Sequence, residues 1–230
     1  MDKENSFDMY SDNYSKLVDK SISLSGEESS FFVKLKVSLL KSLMGKKHQD
    51  ELKILDFGCG TGRFSKFIIS DFPNSSYCGI DTSEKSIKVA KESYPHTNFL
   101  TMESLPQLEE NKYDLVFAAC VFHHIPQKEQ NDILVAVKNS LKPGGLFVMF
   151  EHNPYNPLTL KVVNDCPFDK DAVLIKSNKA KSLFAKSGFS RNKVKYYFFF
   201  PKFLSFLRPL EKYFSKVPLG AQYLIEGYKK

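Results

Sequence analysis

The sequence has no apolar run approaching the roughly 20 residues that a membrane-spanning helix needs, although 42% of its 230 residues are hydrophobic. Its first residues, M-D-K-E-N-S, are too polar for a secretory signal, so we expect a cytoplasmic protein. The 4 cysteines lie far apart without any C-x-x-C, which predicts neither a zinc site nor a disulfide framework. No RNA-binding or DNA-binding signature accompanies the lysines, which argues against a nucleic-acid partner.

The apolar content that is present suffices for one substantial core, and we predict a single domain over residues 1–230. Residues 1–50 are expected to form a helical cap, 51–151 a cofactor-binding core and 152–230 the substrate side. The charge is uneven. Residues 1–150 hold 18 Lys and Arg against 20 Asp and Glu, a net −2, whereas 151–230 hold 15 against 6, a net +9. Such a surface could attract a nucleic acid, an anionic membrane or an acidic substrate, or could simply be solvated.

The most informative stretch runs from Ile54 to Ser65 and reads I-L-D-F-G-C-G-T-G-R-F-S. Apolar residues suited to a buried parallel strand lead directly into three glycines at alternate positions. Glycines permit backbone conformations and a close ligand approach that a β-carbon would obstruct, and a helix can begin near Thr61. The pattern is typical of a loop that offers its amides to a nucleotide cofactor. Asp56 would repel a pyrophosphate but can hold an ammonium group, so we expect a positive charge on the ligand there.

Together with three later segments, this stretch resembles the class I methyltransferases, which bind S-adenosylmethionine (SAM). C-G-I-D-T-S-E ends a second apolar strand in Asp81, K-Y-D-L-V-F-A-A-C-V-F-H-H-I-P resembles the family's fourth strand and turn, and L-K-P-G-G-L-F-V-M-F resembles the turn into its fifth. A dinucleotide-binding dehydrogenase shares the acid at Asp81, but Gly62 does not fit its G-x-G-x-x-G spacing, and dehydrogenases lack an acid like Asp56. The resemblance covers most of the chain.

The resemblance implies SAM as cofactor, S-adenosylhomocysteine as product and no required metal. In the family, the position of Asp81 binds both ribose hydroxyls. Thr101 stands where an aspartate commonly meets the adenine amino group, and we expect the backbone of Met102 to serve the ring. The implied cofactor-binding residues are Asp56, Gly58, Cys59, Gly60, Gly62, Asp81, Thr82, Thr101, Met102, Glu103 and Ala118.

Hydrophobic periodicity predicts an α/β fold in which strands alternate with helices. We expect strands near 52–57, 76–81, 97–101, 113–119 and 144–151, and helices near 61–71, 84–93, 127–140 and 178–187. Two β-rich runs, 194–200 and 221–228, close the chain, and Ser83 is a predicted N-cap. By resemblance this is a Rossmann-like methyltransferase fold: a three-layer sandwich around a seven-stranded, mostly parallel sheet with the last strand antiparallel and an N-terminal helical cap.

Candidate catalytic groups follow the fourth and fifth predicted strands. An oxygen acceptor of high pKa needs a general base, and histidine is the usual one. His123 and His124 are candidates, although an H-H pair occurs widely in the family, so a framework role stays open for them. We expect His152 to be the base, with Glu151 as its orienter or as a substrate contact, unless His152 only stabilises its loop.

Two segments, His152 to Asp171 and Lys202 to Leu219, exceed what the framework needs, and such additions usually carry specificity. The expected substrate contacts are Asn153 and Tyr155 in the first segment and Tyr10 and Tyr14 in the cap. The cap tyrosines could equally be simple packing. In Lys202 to Leu219 apolar residues alternate with cations. We favour aromatics that pack onto the sheet and wall the pocket, because prolines interrupt a long helix; the alternative is a peripheral contact at the inner membrane surface that serves a lipid-linked substrate.

The predicted function is SAM-dependent methylation of a small molecule, preferably at oxygen, such as a sugar, a lipid-linked intermediate or a secondary metabolite. Two alternatives stay open: an RNA methyltransferase that uses the basic C-terminal third, and a non-catalytic SAM-binding protein. A motif of N/D-P-P-Y type is absent after the fourth strand, where A-A-C-V stands. This argues against a DNA adenine methyltransferase.

Overall fold

A computed structural model describes residues 14–102, 108–169 and 172–230 of the chain. Strands and helices alternate in the order α1 Tyr14–Ser21, α2 Ser29–Met44, β1 Lys53–Phe57, α3 Ser65–Asp71, β2 Ser76–Asp81, α4 Glu84–Ser93, β3 Asn98–Thr101, β4 Tyr113–Ala119, α5 Gln130–Ser140, β5 Leu141–His152, α6 Pro157–Asn164, α7 Ser177–Lys186, β6 Ser190–Tyr197, α8 Glu211–Phe214 and β7 Gln222–Tyr228. Short 3₁₀ helices occupy Ser23–Ser25, Gly45–Gln49, Phe122–His124, Pro167–Asp169 and Lys202–Leu210.

The seven strands form one sheet in the order β3-β2-β1-β4-β5-β7-β6. Strands β1 to β5 are parallel, whereas β7 runs antiparallel to both β5 and β6. This confirms the predicted fold class. The order of connection reverses between β1 and β4, and in open α/β sheets a ligand binds at the carboxyl ends of the strands beside such a reversal.

Side chains of the central strands alternate between two apolar layers, as the period of two along a strand requires. In β5, Phe147 and Met149 face a layer that contains α5 and α7, whereas Val148 and Phe150 face a layer that contains α2, α3 and α4. All four side chains are almost completely buried. The sheet is therefore sandwiched between two helical layers, and its near-continuous apolar strands follow from burial on both faces.

Local capping explains where two of the helices begin. The Ser83 hydroxyl accepts a hydrogen bond from the Ser86 amide, which confirms the predicted cap of α4. At α6, Asn156 caps the amide of Thr159, and Pro157 occupies the first turn, where its missing N–H costs nothing. The added segment His152 to Asp171 thus contains a helix.

Several predicted boundaries need correction. The helix after the glycines begins at Ser65 rather than near Thr61, because Gly62 has φ +75°, outside the helical region. Strand β6 ends at Tyr197, since Phe198 has φ +58° and turns the chain away. Strand β5 begins at Leu141, and the Pro143-Gly144-Gly145 turn lies within its irregular first residues.

The cap consists of α1 and α2 in the described residues; the predicted substrate contact Tyr10 lies outside them, and Tyr14 is the first residue of α1. The Phe32 ring packs edge-on against Phe198 at 4.8 Å, which joins the cap to the end of β6. Within the described ranges, no helix combines the length and apolarity that crossing a bilayer would need.

The prediction that the aromatic side chains of Lys202–Leu219 pack onto the sheet is wrong for Phe203 and Phe206. Phe203 is 76% exposed and Phe206 is 73% exposed. Both lie on the 3₁₀ helix Lys202–Leu210, in which Leu204, Leu207 and Arg208 are the half-buried residues.

Candidate active site

A cavity of about 620 Å³ lies at the carboxyl ends of the parallel strands, beneath the cap. The loop after β1 lines one wall with Gly58 and Gly60, and Asp81 at the end of β2 lies beside it. The cap contributes Lys36 from α2, and His152 at the end of β5 faces the cavity from the other side of the sheet's reversal point. The cavity thus extends from the glycine loop to the ends of β4 and β5, where the candidate catalytic residues were predicted.

The glycine loop turns sharply because Gly58, Gly60 and Gly62 all have positive φ, between +52° and +76°. A β-carbon on Gly58 would lie 2.5 Å from Val121 Cγ2, and one on Gly62 would lie 2.6 Å from Phe99 Cζ, so both positions are closed to side chains. A β-carbon on Gly60 would meet nothing within 4 Å, because that residue borders the open cavity. A bound molecule can therefore approach the backbone most closely at Gly60.

The loop does not offer all of its amides to a ligand as the sequence suggested. The Gly58 and Cys59 amides both donate to the Ile80 carbonyl, at 2.8 and 2.9 Å. The Gly60 amide donates to Asp81 Oδ2 at 2.7 Å. These bonds tie the loop to the end of β2, because β1 and β2 are neighbouring parallel strands.

Asp81 is held rigidly at the cavity edge. Its Oδ2 accepts from Gly60, and its Oδ1 accepts from the Ser83 amide at 2.9 Å. The side chain is half-buried, and each carboxylate oxygen can accept a further hydrogen bond. Asp81 therefore presents a fixed double acceptor to the cavity.

Asp56 lies beneath the loop and does not line the cavity. Its carboxylate is buried, and Oδ2 accepts a hydrogen bond from the Tyr77 hydroxyl at 2.6 Å. Burial raises the pKa of Asp56 to about 7, although the Tyr77 hydrogen bond favours the ionised form. The structure thus separates this acid from the ligand surface on which we expected it to hold an ammonium group.

The remaining predicted cofactor residues divide into two groups. Cys59, Thr82 and Met102 line the cavity, whereas Gly62, Thr101 and Ala118 do not. The amide of Met102, which we expected to serve an adenine ring, instead donates to the Asp81 carbonyl at 2.8 Å and continues the β2–β3 pairing. Glu103 lies outside the described residues.

Three histidines and two acids form a cluster at this end of the cavity, and His124, His152 and Asp169 line it. His123 Nδ1 contacts Glu151 Oε2 at 2.5 Å, and Glu151 Oε1 accepts the Phe122 amide at 2.9 Å. His124 Nε2 lies 3.2 Å from Asp169 Oδ1. The His123 ring is 4.1 Å from that of His124 and 5.4 Å from that of His152, measured between centroids.

The buried acids fix the charge of this cluster. Burial opposes a charge on His123, but Glu151 raises the pKa of His123 well above its usual value. Glu151 is itself buried, yet His123 holds its pKa below the usual range, so the two form an ion pair. The contacts of Asp169 with the two imidazoles likewise keep the pKa of Asp169 low despite its burial. His123 Nε2, 3.5 Å from Asp169 Oδ1, has no hydrogen-bond partner among the described residues.

His124 and His152 are neutral in this environment. Burial lowers the pKa of His124, and Asp169 offsets this only in part. Burial, followed by the nearby positive charge of His123, lowers the pKa of His152 to about 4. His152 Nδ1 lies 3.5 Å from the side-chain amide nitrogen of Gln222. The amide oxygen of Gln222 accepts a hydrogen bond from the Tyr197 hydroxyl. Both neutral imidazoles line the cavity, whereas the charged His123 does not.

The predicted pairing of Glu151 with His152 is wrong. Adjacent residues of a strand point to opposite faces of the sheet, so Glu151 turns away from its neighbour and meets His123 instead. The E-H sequence therefore could not place the acid beside that base.

Neither predicted substrate contact in the loop after β5 lines the cavity. Asn153 is buried, and its amide nitrogen donates to the carbonyls of Pro218 and Gly220. Tyr155 is exposed, with the Lys176 ammonium 6.0 Å above its ring. Asn153 thus fastens the loop to the end of the 202–219 segment.

Sequence reasoning missed two kinds of cavity residue. Asp169, in the 3₁₀ helix Pro167–Asp169, joins the histidine cluster from a loop remote in sequence. Lys36 and Arg63 bring cations, and burial lowers the pKa of Lys36. A lysine on the apolar face of a predicted helix was the available signal for Lys36, because lysine is rarely buried without a purpose.

Comparison with known proteins relates this site to one enzyme family. Residues 55–147 match the methyltransferase domain family. A malonyl-[acyl-carrier protein] O-methyltransferase of Ilyobacter polytropus is 35% identical over 103 residues, which are 44% of this chain and 39% of that protein. A trans-aconitate 2-methyltransferase of Rhodopseudomonas palustris is 27% identical over 100 residues, 44% of this chain and 38% of that protein.

The fold is shared more widely than the sequence. An SAM-dependent methyltransferase structure from Archaeoglobus fulgidus matches with a TM-score of 0.69 at 17% identity and covers 88% of this chain and 95% of that one. The chain spans well under half the length of the two curated relatives.

Proposed function

We propose that this chain, whose residues 55–147 match the methyltransferase domain family, is a class I SAM-dependent methyltransferase that transfers a methyl group from SAM to an oxygen of a small-molecule acceptor. The observation that carries this proposal is the position of the histidine–acid cluster. Its members His124, His152 and Asp169 line the same cavity as the glycine loop. One end of the cavity suits the cofactor and the other suits proton removal from an acceptor.

The loop and the end of β2 fit the cofactor. Gly60 leaves open space where any β-carbon would project, and the fixed Asp81 carboxylate can accept two hydroxyl hydrogen bonds from a ribose. Thr82 and Met102 line the adjoining wall, where an adenine ring would lie. SAM supplies an electrophilic methyl carbon on its sulfonium when bound there.

The proposed general base is His124, oriented by Asp169. The His124 Nε2–H donates toward Asp169 Oδ1, so the second ring nitrogen, Nδ1, is the one that takes a proton. A hydroxyl acceptor must lose its proton as the new carbon–oxygen bond forms, and a neutral imidazole at the cavity floor can receive it. His152, the base expected from the sequence, keeps a role as a contact for the acceptor, because it lines the same cavity.

A carboxylate acceptor is the second candidate, and the observation that favours it is Lys36. This lysine is buried at the cavity and forms no ion pair within the part of the chain that the structure describes. A buried cation needs an anion, and Lys36 could pair with an acceptor carboxylate. The two curated relatives are each named for a substrate that contains a carboxylic acid, malonyl and trans-aconitate.

The two acceptor types differ in their need for a base. A carboxylate is already ionised at neutral pH, so His124→Ala should leave its methylation nearly unchanged, whereas hydroxyl methylation should fall by about 10²-fold. The experiment is to incubate the protein with methyl-labelled SAM and a small-molecule extract, identify products by mass shift, and repeat with His124→Ala and Lys36→Met. Absence of labelled product from every extract fraction would contradict the proposed activity and leave SAM binding alone.

A further inference from the structure

The 3₁₀ helix Lys202–Leu210 and the following α8 carry a stripe of exposed aromatic and aliphatic side chains. Phe203, Phe206 and Tyr213 are 76%, 73% and 71% exposed, and Leu210 lies between the last two. The spacing of three or four residues places Phe206, Leu210 and Tyr213 along one side of these helical turns, and Phe203 precedes them across a kink at Leu204. Large aromatic side chains in such a row rarely stay exposed to water, because each can bury about 150–250 Å² of surface when it is covered.

The opposite side of the same turns is anchored to the protein. Leu204, Leu207, Arg208 and Glu211 are half-buried, again three or four residues apart. The Arg208 guanidinium pairs with Glu27 at 2.7 Å and lies 4.6 Å from the centre of the Phe31 ring. The segment is therefore fixed on the body by one side and presents the other outward.

The charges are sorted in the same way. Glu211 is the segment's only acid, and its two carboxylate oxygens accept the amides of Phe198, Phe199 and Phe200. Arg208 is neutralised by its inward pair. The outward charges are thus Lys202, Lys212 and Lys216, all exposed and all positive.

We propose that this basic–aromatic face, formed by Lys202, Phe203, Phe206, Leu210, Lys212, Tyr213 and Lys216, docks on an anionic lipid bilayer. Aromatic rings and leucine favour the boundary between head groups and acyl chains, and lysine stems extend their ammonium groups to the phosphates. A typical protein partner would present charges of both signs to complementary charges on this face. Because Glu211 turns inward, this face carries positive charge only. Anionic lipid matches that sign and the apolar row together.

The face adjoins the cavity at both ends of the segment. Phe199 and Pro201, just before it, line the cavity. At the other end, Asn156 Nδ2 donates to the Leu219 carbonyl at 2.7 Å, and the neighbouring Leu158 is both exposed and a cavity residue. Docking would therefore place the cavity mouth near the bilayer. Delivery of a lipid-linked acceptor through that mouth rests on the proposed function, but the docking itself does not.

The test measures vesicle binding without any methyl acceptor, so its outcome is independent of activity. The full chain is cosedimented with phosphatidylcholine vesicles with and without phosphatidylglycerol, at low and high salt. We expect binding only to the anionic vesicles, weakened by salt. Since each lysine near an anionic surface contributes a factor of about five, Lys212→Glu/Lys216→Glu should lower the partition coefficient by about 30-fold or more.

Matched controls separate the face from overall charge. Lys46→Glu/Lys47→Glu makes the same charge change at exposed lysines before β1, at the opposite end of the strands. It should keep binding, whereas Phe203→Ser/Phe206→Ser should lose it and Ile69→Ser, at an exposed residue of α3, should not. Equal loss in both lysine pairs, or no sedimentation of the wild-type chain at low salt, overturns the proposal.

Tryptophan fluorescence reports directly whether the face contacts the bilayer. The sequence contains no tryptophan, so Phe206→Trp introduces a single tryptophan on the face, which can be excited without exciting the tyrosines. Its emission should shift to shorter wavelength on addition of anionic vesicles, and thermal unfolding reports whether each variant is folded. Concentration-dependent dimerisation that Phe203→Ser/Phe206→Ser abolishes, without any vesicle-induced shift, would assign the face to a second copy of the chain and refute the bilayer.

Discussion

His124 and Asp169 meet at the cavity floor, with Nε2 and Oδ1 3.2 Å apart. The histidine comes from the 3₁₀ turn after β4, and the acid comes from the loop beyond α6. An aspartate that accepts from one ring nitrogen fixes both the tautomer and the orientation of the imidazole. The pair has the form of a base with its orienting acid, and it stands beside a second pair, His123 with Glu151, that is charged and sealed from the cavity.

The first prediction tests that relationship. Asp169→Asn should lower kcat for a hydroxyl acceptor by about 10²-fold, because the neutral amide no longer stabilises the protonated imidazole. Affinity for SAM should stay within a few-fold of the wild type, since Asp169 does not contact the glycine loop. Steady-state kinetics and calorimetry with S-adenosylhomocysteine measure the two effects. Asp165→Asn, at an exposed acid of the same loop, is the matched control and should retain full turnover.

The framework could be predicted from the sequence because its signals are local. Strand β2 and helix α4 have the predicted bounds, since Asp81 and the capping Ser83 punctuate the chain between them. The glycines of the loop after β1, which have positive φ, could also be identified from the sequence.

The histidine–acid cluster could not be predicted in the same way, because it depends on contacts between distant segments. Glu151 finds His123 through the pairing of β4 with β5, which no local pattern encodes. Asp169 belongs to a loop whose path is set by its tertiary packing. The outward face of Lys202–Leu219 likewise depends on tertiary contacts, because Glu211 turns inward to accept the Phe198 amide and Arg208 turns inward to pair with Glu27.

The second prediction concerns the cofactor site. Asp81→Ala should weaken binding of S-adenosylhomocysteine by about 3 to 6 kcal/mol, since two hydrogen bonds to a charged acceptor are lost at about 1.5 to 3 kcal/mol each. The loop would also lose the carboxylate that holds the Gly60 and Ser83 amides. Asp81→Asn keeps an acceptor for one of them and should lose less affinity. Calorimetry gives both values, and wild-type affinity in Asp81→Ala would exclude this carboxylate from the cofactor site.

The third prediction uses the lowered pKa of His152. The folded protein keeps this imidazole neutral down to about pH 4, whereas the unfolded chain takes up the proton at about pH 6.5. Its contribution to stability is complete above pH 6.5 and is lost as the pH falls toward 4, by at most about 3 kcal/mol because the half-buried ring keeps some solvent.

Urea unfolding of the wild type and of His152→Gln over that interval measures this contribution. The variant, which has no imidazole to protonate at this position, should lose less stability than the wild type as the pH falls. Parallel slopes would show that His152 is not held neutral. In kinetics, His152→Gln should raise KM for the acceptor more than it lowers kcat; a fall in kcat of about 10²-fold at unchanged KM would return the base role to His152.

The fourth prediction has the opposite sign and concerns Asp56. Burial raises its pKa to about 7 in the folded protein, against about 3.9 in an unfolded chain. The folded state therefore holds a proton that the unfolded state releases, and its stability falls as the pH rises from about 4 to 7, by about 4 kcal/mol in total. Asn at position 56 cannot ionise, so the free energy of unfolding of Asp56→Asn should lack this pH-dependent loss. Relative to the wild type, the variant should therefore become more stable by a similar amount as the pH rises across that range.

Tyr77→Phe provides the internal control for Asp56. The Tyr77 hydroxyl donates to Asp56 Oδ2 at 2.6 Å and favours the ionised carboxylate. Without it the pKa of Asp56 should rise further, so the loss of stability should continue to a higher pH than in the wild type. Combining Tyr77→Phe with Asp56→Asn should remove that difference, because no carboxylate remains to titrate. Denaturant unfolding of the four proteins from pH 4 to pH 8 decides the matter: if the pH dependence survives in Asp56→Asn, the titrating group lies elsewhere.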